Sequence, residues 1–260
     1  MRELLEAVAA GNLSPAAAEA ELRGYATGDA GRFDAARVDR SGVPEAVLAE
    51  GKTPEEAAEM AALAVETTDR ALVTRADDAT ARAVRERIAD RFPGASVARD
   101  ARARTVVIHG ADYDPPSLSA RVGVVTGGTA DAAPAGEAAV VLQELGASVV
   151  RVEDVGVAGI DRLFDRLPEL RELDVLVVAA GREGALPTVL AGLVDVPLIG
   201  LPVAAGYGYG GSGEAALAGM LQSCAPLAVV NIDAGFAAAV HAGLIARALD
   251  AEWAGRSDSE

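Results

Sequence analysis

The residues best suited to chemistry lie in three glycine-bearing runs and one thiol. The run TGGTADAAPAGEAA, residues 126–139, leaves the apolar pattern VGVV and enters a helical one. Gly127 and Gly128 let backbone approach a phosphate, with Thr129 beside them, and the helix start beyond offers unpaired N–H groups and a positive dipole end. A plain tight turn is the alternative. The run lacks lysine and the Walker spacing, and it contains no GxGxxG. Asp131 reads as a helix cap or, if the loop is a site, as a ligand contact. The second run, AAGREGALPTVLAGL, follows LDVLVVAAG and contains Gly181 and Glu183. A carboxylate there can take or give a proton, or it can simply stabilise the first turn of a helix.

The third run, GYGYGGSGEAAL, has Gly206, Tyr207, Gly208 and Tyr209 in its first half. Its composition fits a close-approach loop or lid whose tyrosines stack on a flat ring, and a long glycine-rich segment inside a compact domain is usually functional. Cys224 lies in LQSCAPLAVVNID, after a helical pattern and before a strand. A lone buried cysteine is ordinarily inert filler, and a catalytic thiolate needs a nearby positive charge. His109 and His241 fall outside these runs and form no evident nucleophile and base pair.

Positioning these groups requires strands that share one edge. VGVVTGG, SVVRVEDV, LDVLVVAAG, VPLIGLPV and LAVVNID alternate with helical patterns, the signature of a parallel sheet covered on both faces. Right-handed crossovers then collect the loops after each strand along one side. The expected fold is a flavodoxin-like three-layer α/β domain over residues 116–260, preceded by a smaller α/β domain over residues 1–115. The paired prolines of HGADYDPPSLSAR mark the boundary. In the first domain, Thr53, Pro54 and Glu56 spell a capping box with proline at the first helical position.

Composition excludes several classes. The formal charge is -16, with 39 acidic and 23 basic residues, and such a surface repels nucleic acid. Lys52 is the single lysine, which fits either a salt-loving host or codon bias toward arginine. With 51% apolar but 3% aromatic residues, the core must be built from Ala, Val and Leu. One cysteine rules out an internal disulfide, and no Cys/His cluster has zinc spacing. The amino-terminal stretch is not a signal peptide, and no apolar run reaches the ~18 residues of a membrane span, so a soluble, cytoplasmic protein is expected.

Taken together, GGTADAAPAGEA, DVGVAGIDRL, GREGALPTVLAGLVDVPLIGLPVAAGYG and MLQSCAPLAVVNIDAGF resemble the LarB family along nearly the whole second domain. In the first domain, DAARVDRSGVPEAVLAEGKT fits that family's D-x-x-R-x-x-R-x-G-x-P-E pattern at Asp34, Arg37, Arg40, Gly42, Pro44 and Glu45, with Lys52 following. The second domain is also similar to PurE, the aminoimidazole ribonucleotide carboxylase. That family has a histidine where Asp161 stands before Arg162, and lacks both the first domain and a cysteine at Cys224. The chain departs from LarB at Ala130, Asp161, Val203, Ala204 and Ala234.

The LarB resemblance implies carboxylation of the pyridinium ring of nicotinic acid adenine dinucleotide with CO2 as co-substrate, and hydrolysis of the phosphoanhydride with release of AMP. It implies Cys224 as the nucleophile that adds to the ring and Glu183 as the base. Arg37, Arg40, Lys52 and Arg162 are then expected to contact phosphate or carboxylate, together with Asp34, Glu45 and the glycine loops. No cofactor is required, although Asp131 and Glu183 are able to hold magnesium through water. A homo-oligomer, commonly an octamer in both families, is the implied assembly. A PurE-type carboxylase and a non-catalytic nucleotide-binding protein are the alternatives.

Overall fold

The computed structural model describes residues 2–257, with side chains described to residue 252. The chain forms two units that part between Asp114 and Pro115.

The first unit begins with α1 (Arg2–Ala9) and α2 (Pro15–Arg23), where the Ser14 hydroxyl accepts from the Ala17 N–H and Pro15 occupies the first turn. A hairpin follows, β1 (Ala26–Gly28) against β2 (Gly31–Phe33). Periodicity does not reveal it, because each strand has three residues and glycines flank the turn. Next come α3 (Arg37–Ser41), β3 (Val47–Leu48), α4 (Pro54–Thr68), β4 (Arg70–Thr74), α5 (Asp78–Arg91), β5 (Ser96–Asp100) and β6 (Thr105–His109). The capping box forms as expected: the Thr53 N–H donates to Glu56 Oε2 at 2.8 Å and the Glu56 N–H to Thr53 Oγ1 at 3.2 Å. The strands order as β3-β4-β6-β5, with β3 parallel to β4 and the other pairs antiparallel. Ala57, Ala58, Ala61, Ala62 and Ala64 bury one side of α4, and these small side chains let it sit close to its neighbours. Val84 and Ile88 of α5 and Val106 and Ile108 of β6 complete the same core.

The second unit contains β7 (Arg121–Thr126), α6 (Ala132–Glu144), β8 (Ser148–Val152), α7 (Asp161–Leu170), β9 (Val175–Ala180), α8 (Ala185–Ala191), β10 (Leu198–Pro202), α9 (Glu214–Leu221), β11 (Ala228–Val229) and α10 (Gly235–Ser257). Every strand pair is parallel and the order is β11-β10-β9-β7-β8. Renumbered from the first strand of this unit, that is the 2-1-3-4-5 order of flavodoxin-like sheets. All six residues of β9 are buried, as a central strand covered on both faces requires. Helices α6 and α10 pack together against the sheet. On the other side Leu163 and Leu170 of α7, Leu186 and Leu190 of α8, and Met220 of α9 share a core with Val125, Leu176 and Val178. The buried Glu137 of α6 accepts from the Phe236 N–H at 3.3 Å and so caps the start of α10.

Candidate functional site

In a 2-1-3-4-5 sheet the order of strands reverses between the first and third, here β7 and β9, and the loops leaving their carboxyl ends diverge to leave a crevice. Register puts those ends side by side: Thr126 pairs with Ala179, and the Gly127 N–H donates to the Ala179 carbonyl at 3.1 Å. A cavity of about 590 Å³ opens there, within the range of small-molecule sites. Its lining includes Gly127, Gly128, Ala130 and Asp131 after β7; Gly156, Val157, Ala158 and Arg162 after β8; and Gly181, Arg182 and Glu183 after β9. Ala205, Gly206 and Tyr207 complete it from the loop after β10.

Close backbone approach holds these loops together. A Cβ on Gly156 would fall 2.5 Å from the Gly127 carbonyl oxygen, and one on Gly181 would fall 2.4 Å from that of Ala205. Both distances are below van der Waals contact, so side chains at these positions would wedge the loops apart. Asp131 ties the crevice from within. It is 5% exposed, and its Oδ2 accepts from the Gly128 N–H at 2.8 Å. Burial pushes its carboxyl above the ordinary value of 3.8, opposed by backbone N–H groups of Gly128, Gly181 and Gly127. Its carboxylate thereby clamps the loops after β7 and β9 together at the cavity wall. Asp233 acts similarly on the loop after β10, donating its N–H to the Pro202 carbonyl and accepting from the Ala204 N–H at 3.0 Å.

Arg162 and Glu183 face the cavity from exposed positions, and Arg162 Nη1 donates to Asp154 Oδ2 at 2.6 Å. Arg182, which sequence reasoning does not single out, lies with its guanidinium 4.4 Å from the centroid of the Tyr207 ring. Its φ of 52° is in the left-handed region, which turns the chain between Gly181 and Glu183. No signal in the sequence distinguishes this arginine from the others. A second cavity of about 330 Å³ is lined by Gly208, Tyr209 and neighbouring glycines, and it shares Arg182, Glu183, Ala205, Gly206 and Tyr207 with the first.

The structure thus brings Gly127, Gly128, Asp131, Arg162, Gly181, Glu183, Gly206 and Tyr207 to one cavity and Gly208 to its neighbour. Thr129 and Cys224 are not among the described lining residues. Cys224 is exposed, which rules out the alternative of buried filler. It lies in the turn between α9 and β11, four residues before Ala228, which pairs with Ile199 near the start of β10. That turn precedes a parallel strand and so belongs to the amino side of the sheet, away from the loops just described.

The motif residues of the first unit find local partners. Arg37 Nη1 donates to Glu45 Oε2 and Arg40 Nη2 to Asp34 Oδ2, each at 2.6 Å. Lys52 Nζ donates to the Leu48 carbonyl at 2.7 Å and closes the turn before α4. The two ion pairs tie α3 to the residues on either side of it, Asp34 before and Glu45 after.

Fold and crevice define a flavodoxin-like α/β domain with a cavity at the carboxyl edge of its parallel sheet. Comparison with protein families identifies which one. The AIR carboxylase model matches residues 121–258 and the LarB/PurE-like N-terminal domain model matches residues 25–110. A protein of Methanocaldococcus jannaschii, the uncharacterized protein MJ0165, is 38% identical over 224 residues, covering 83% of this chain and 84% of its own. The chain belongs to the AIR carboxylase family and carries the LarB/PurE-like N-terminal domain. Among solved structures, Treponema denticola PurE is 21% identical over 50% of this chain and 78% of its own, with a TM-score of 0.40. A single-substitution variant of PurE2 from the same organism has the same identity and TM-score over 56% of this chain and 94% of its own. Among the described residues no helix is long and apolar enough to cross a membrane.

Proposed function

We propose that the chain carboxylates the pyridinium ring of nicotinic acid adenine dinucleotide with carbon dioxide and hydrolyses the phosphoanhydride, releasing AMP and a pyridinium-3,5-biscarboxylic acid mononucleotide. The observation that carries this reading is the crevice between β7 and β9. There, glycine-lined backbone, Arg162, Arg182 and Glu183 surround one largely apolar space in an AIR carboxylase family chain that also has the LarB/PurE-like domain.

The chemistry suits an electron-poor ring. A thiolate adds to a ring carbon, forming a C–S bond and moving an electron pair onto the ring nitrogen. The resulting enamine attacks carbon dioxide from the neighbouring carbon. Glu183, exposed at the mouth of the cavity, then takes the proton from that carbon as the C–S bond breaks, and aromaticity returns. Water cleaves the phosphoanhydride separately. The thiolate is that of Cys224, and because this residue lies on the amino side of its own sheet, the reading takes it from another copy of the chain in a homo-oligomer.

Incubation with nicotinic acid adenine dinucleotide and labelled bicarbonate tests the reading. Label is expected in a mononucleotide with AMP released, both lost in Cys224→Ala, while Glu183→Gln slows labelling about 100-fold or more. Co-expressed Cys224→Ala and Glu183→Gln chains should recover part of the activity in mixed assemblies, above the residual labelling of either variant alone. Undiminished labelling by Cys224→Ala contradicts the thiol route. Turnover of aminoimidazole ribonucleotide instead would assign a PurE-type carboxylase, and nucleotide binding without turnover a non-catalytic protein of this fold.

A further inference from the structure

Two cavities meet at the carboxyl edge of the second unit, and the wall between them is built from Arg182, Glu183, Ala205, Gly206 and Tyr207. At about 590 and 330 Å³, each is within the size range of a small-ligand site. Arg182 is the one basic residue common to both linings, since Arg162 belongs to the larger alone. Its surroundings differ from those of the other arginines discussed here. Arg37, Arg40 and Arg162 each hold a carboxylate at 2.6 Å, whereas Arg182 has, among the described residues, the face of Tyr207 and no ion pair.

Stacking occupies the face of a guanidinium and leaves its N–H groups, which lie in the plane, for oxygen acceptors. The close approach of Gly181 to the Ala205 carbonyl, and the Arg182 N–H bond to that same carbonyl at 3.4 Å, fix the two loops that carry Arg182 and Tyr207. Glu183 shares the wall, and in a chain of net charge -16 an anion placed there needs a cation beside it. On the far side Tyr209 is fully exposed in the smaller cavity and presents a second aromatic face.

We propose that Arg182 grips the diphosphate of a dinucleotide laid across this wall, with the pyridine mononucleotide half in the larger cavity and the second nucleoside in the smaller one, its base against Tyr209. The inference rests on the dinucleotide reading above and adds how the second half of the substrate is recognised. A monophosphate confined to the larger cavity would gain little from Arg182, so the residue selects for the dinucleotide.

Calorimetric titration of the full chain with three probes tests this: nicotinic acid adenine dinucleotide, nicotinic acid mononucleotide, and ADP-ribose, which keeps the diphosphate and adenosine without a pyridine. Arg182→Gln should weaken the dinucleotide and ADP-ribose about tenfold or more, the scale of lost charge-assisted hydrogen bonds, and leave the mononucleotide within about twofold. Tyr209→Ala should weaken the same two probes about fivefold or more by removing a stacking face. An unchanged thermal midpoint in each variant shows that the fold is intact. Equal loss for mononucleotide and dinucleotide overturns the bridging role, as does unaltered binding of all three by Arg182→Gln. If carboxylation proceeds while Arg182→Gln binds the dinucleotide normally, the bridge falls and the activity stands. Arg182-dependent binding of ADP-ribose without recognition of either pyridine nucleotide keeps the bridge and removes the activity. A chain that binds none of the three contradicts both.

Discussion

The two units use charge differently, although Arg162 at the crevice pairs with Asp154 just as the first unit's arginines pair with their acids. In the first, Asp34, Arg37, Arg40 and Glu45 lie on the surface and neutralise one another over distances of six and eight residues in sequence. In the second, the charged groups around the crevice have separate roles. Asp131 is buried and bound to backbone N–H groups, whereas Arg182 and Glu183 stand at the mouth without ion pairs among the described residues. Residues that satisfy each other brace a turn, and residues that the fold holds apart remain able to act on a ligand. Parallel topology explains why the second kind collects where it does, since only at the β7/β9 reversal do adjacent loops leave in opposite directions.

The comparison breaks most sharply at Gly156. Its φ of -60° and ψ of 149° suit any residue, so glycine is needed there only for the approach to Gly127. Gly156→Ala must push one loop away, at about 1–3 kcal/mol in stability. A displacement near 1 Å at the crevice should cost about 100-fold in turnover, read as kcat/KM on a protein that still unfolds cooperatively. Retained turnover would show that the crevice is not where reaction occurs.

Asp131→Asn costs similar stability, because its amide group places N–H where backbone N–H already points, but it keeps the side chain's shape and so disturbs turnover less than Gly156→Ala. The expected loss is about 1–3 kcal/mol at neutral pH. The pH dependence follows from the raised carboxyl. A native acid that holds its proton more tightly than the unfolded chain favours folding most below 3.8, and this contribution fades as pH rises through the raised value. The stability gap between wild type and Asp131→Asn should therefore narrow from acid toward neutral pH in chemical denaturation. A gap that widens instead would show that hydrogen bonding, not burial, controls this group.

Arg37→Gln is expected to do least. It removes a half-buried ion pair worth about 1 kcal/mol and should leave nucleotide affinity within about twofold. A tenfold loss of affinity would erase the contrast between the units and return the first-domain motif to the site.

How far the sequence shows these roles depends on their range. Continuous apolar runs such as LDVLVVAAG mark buried parallel strands because a strand covered on both faces has no polar side to display. Thr53 and Glu56 are legible as a cap because their bonds span three residues. Asp131 is legible as a cap for its own loop, but its hold on Gly181 joins residues fifty apart and no local pattern encodes it. The pairing of Arg37 with Glu45 has no helical spacing to betray it, and the same residue types fit a phosphate site equally well. Arg182 gains its setting only from Tyr207 on a different loop. The position of Cys224, by contrast, is readable from order alone: a residue between a helix and the following parallel strand falls at the strand's start, on the side opposite Gly127 and Gly181.

Amide hydrogen exchange with and without nicotinic acid adenine dinucleotide tests most directly whether the crevice of the second unit holds the ligand. Residues 127–131, 181–184 and 204–213 should slow markedly in its presence, while residues 34–52 exchange as before. Slowing confined to residues 34–52, with the carboxyl-edge loops unaffected, would contradict the assignment.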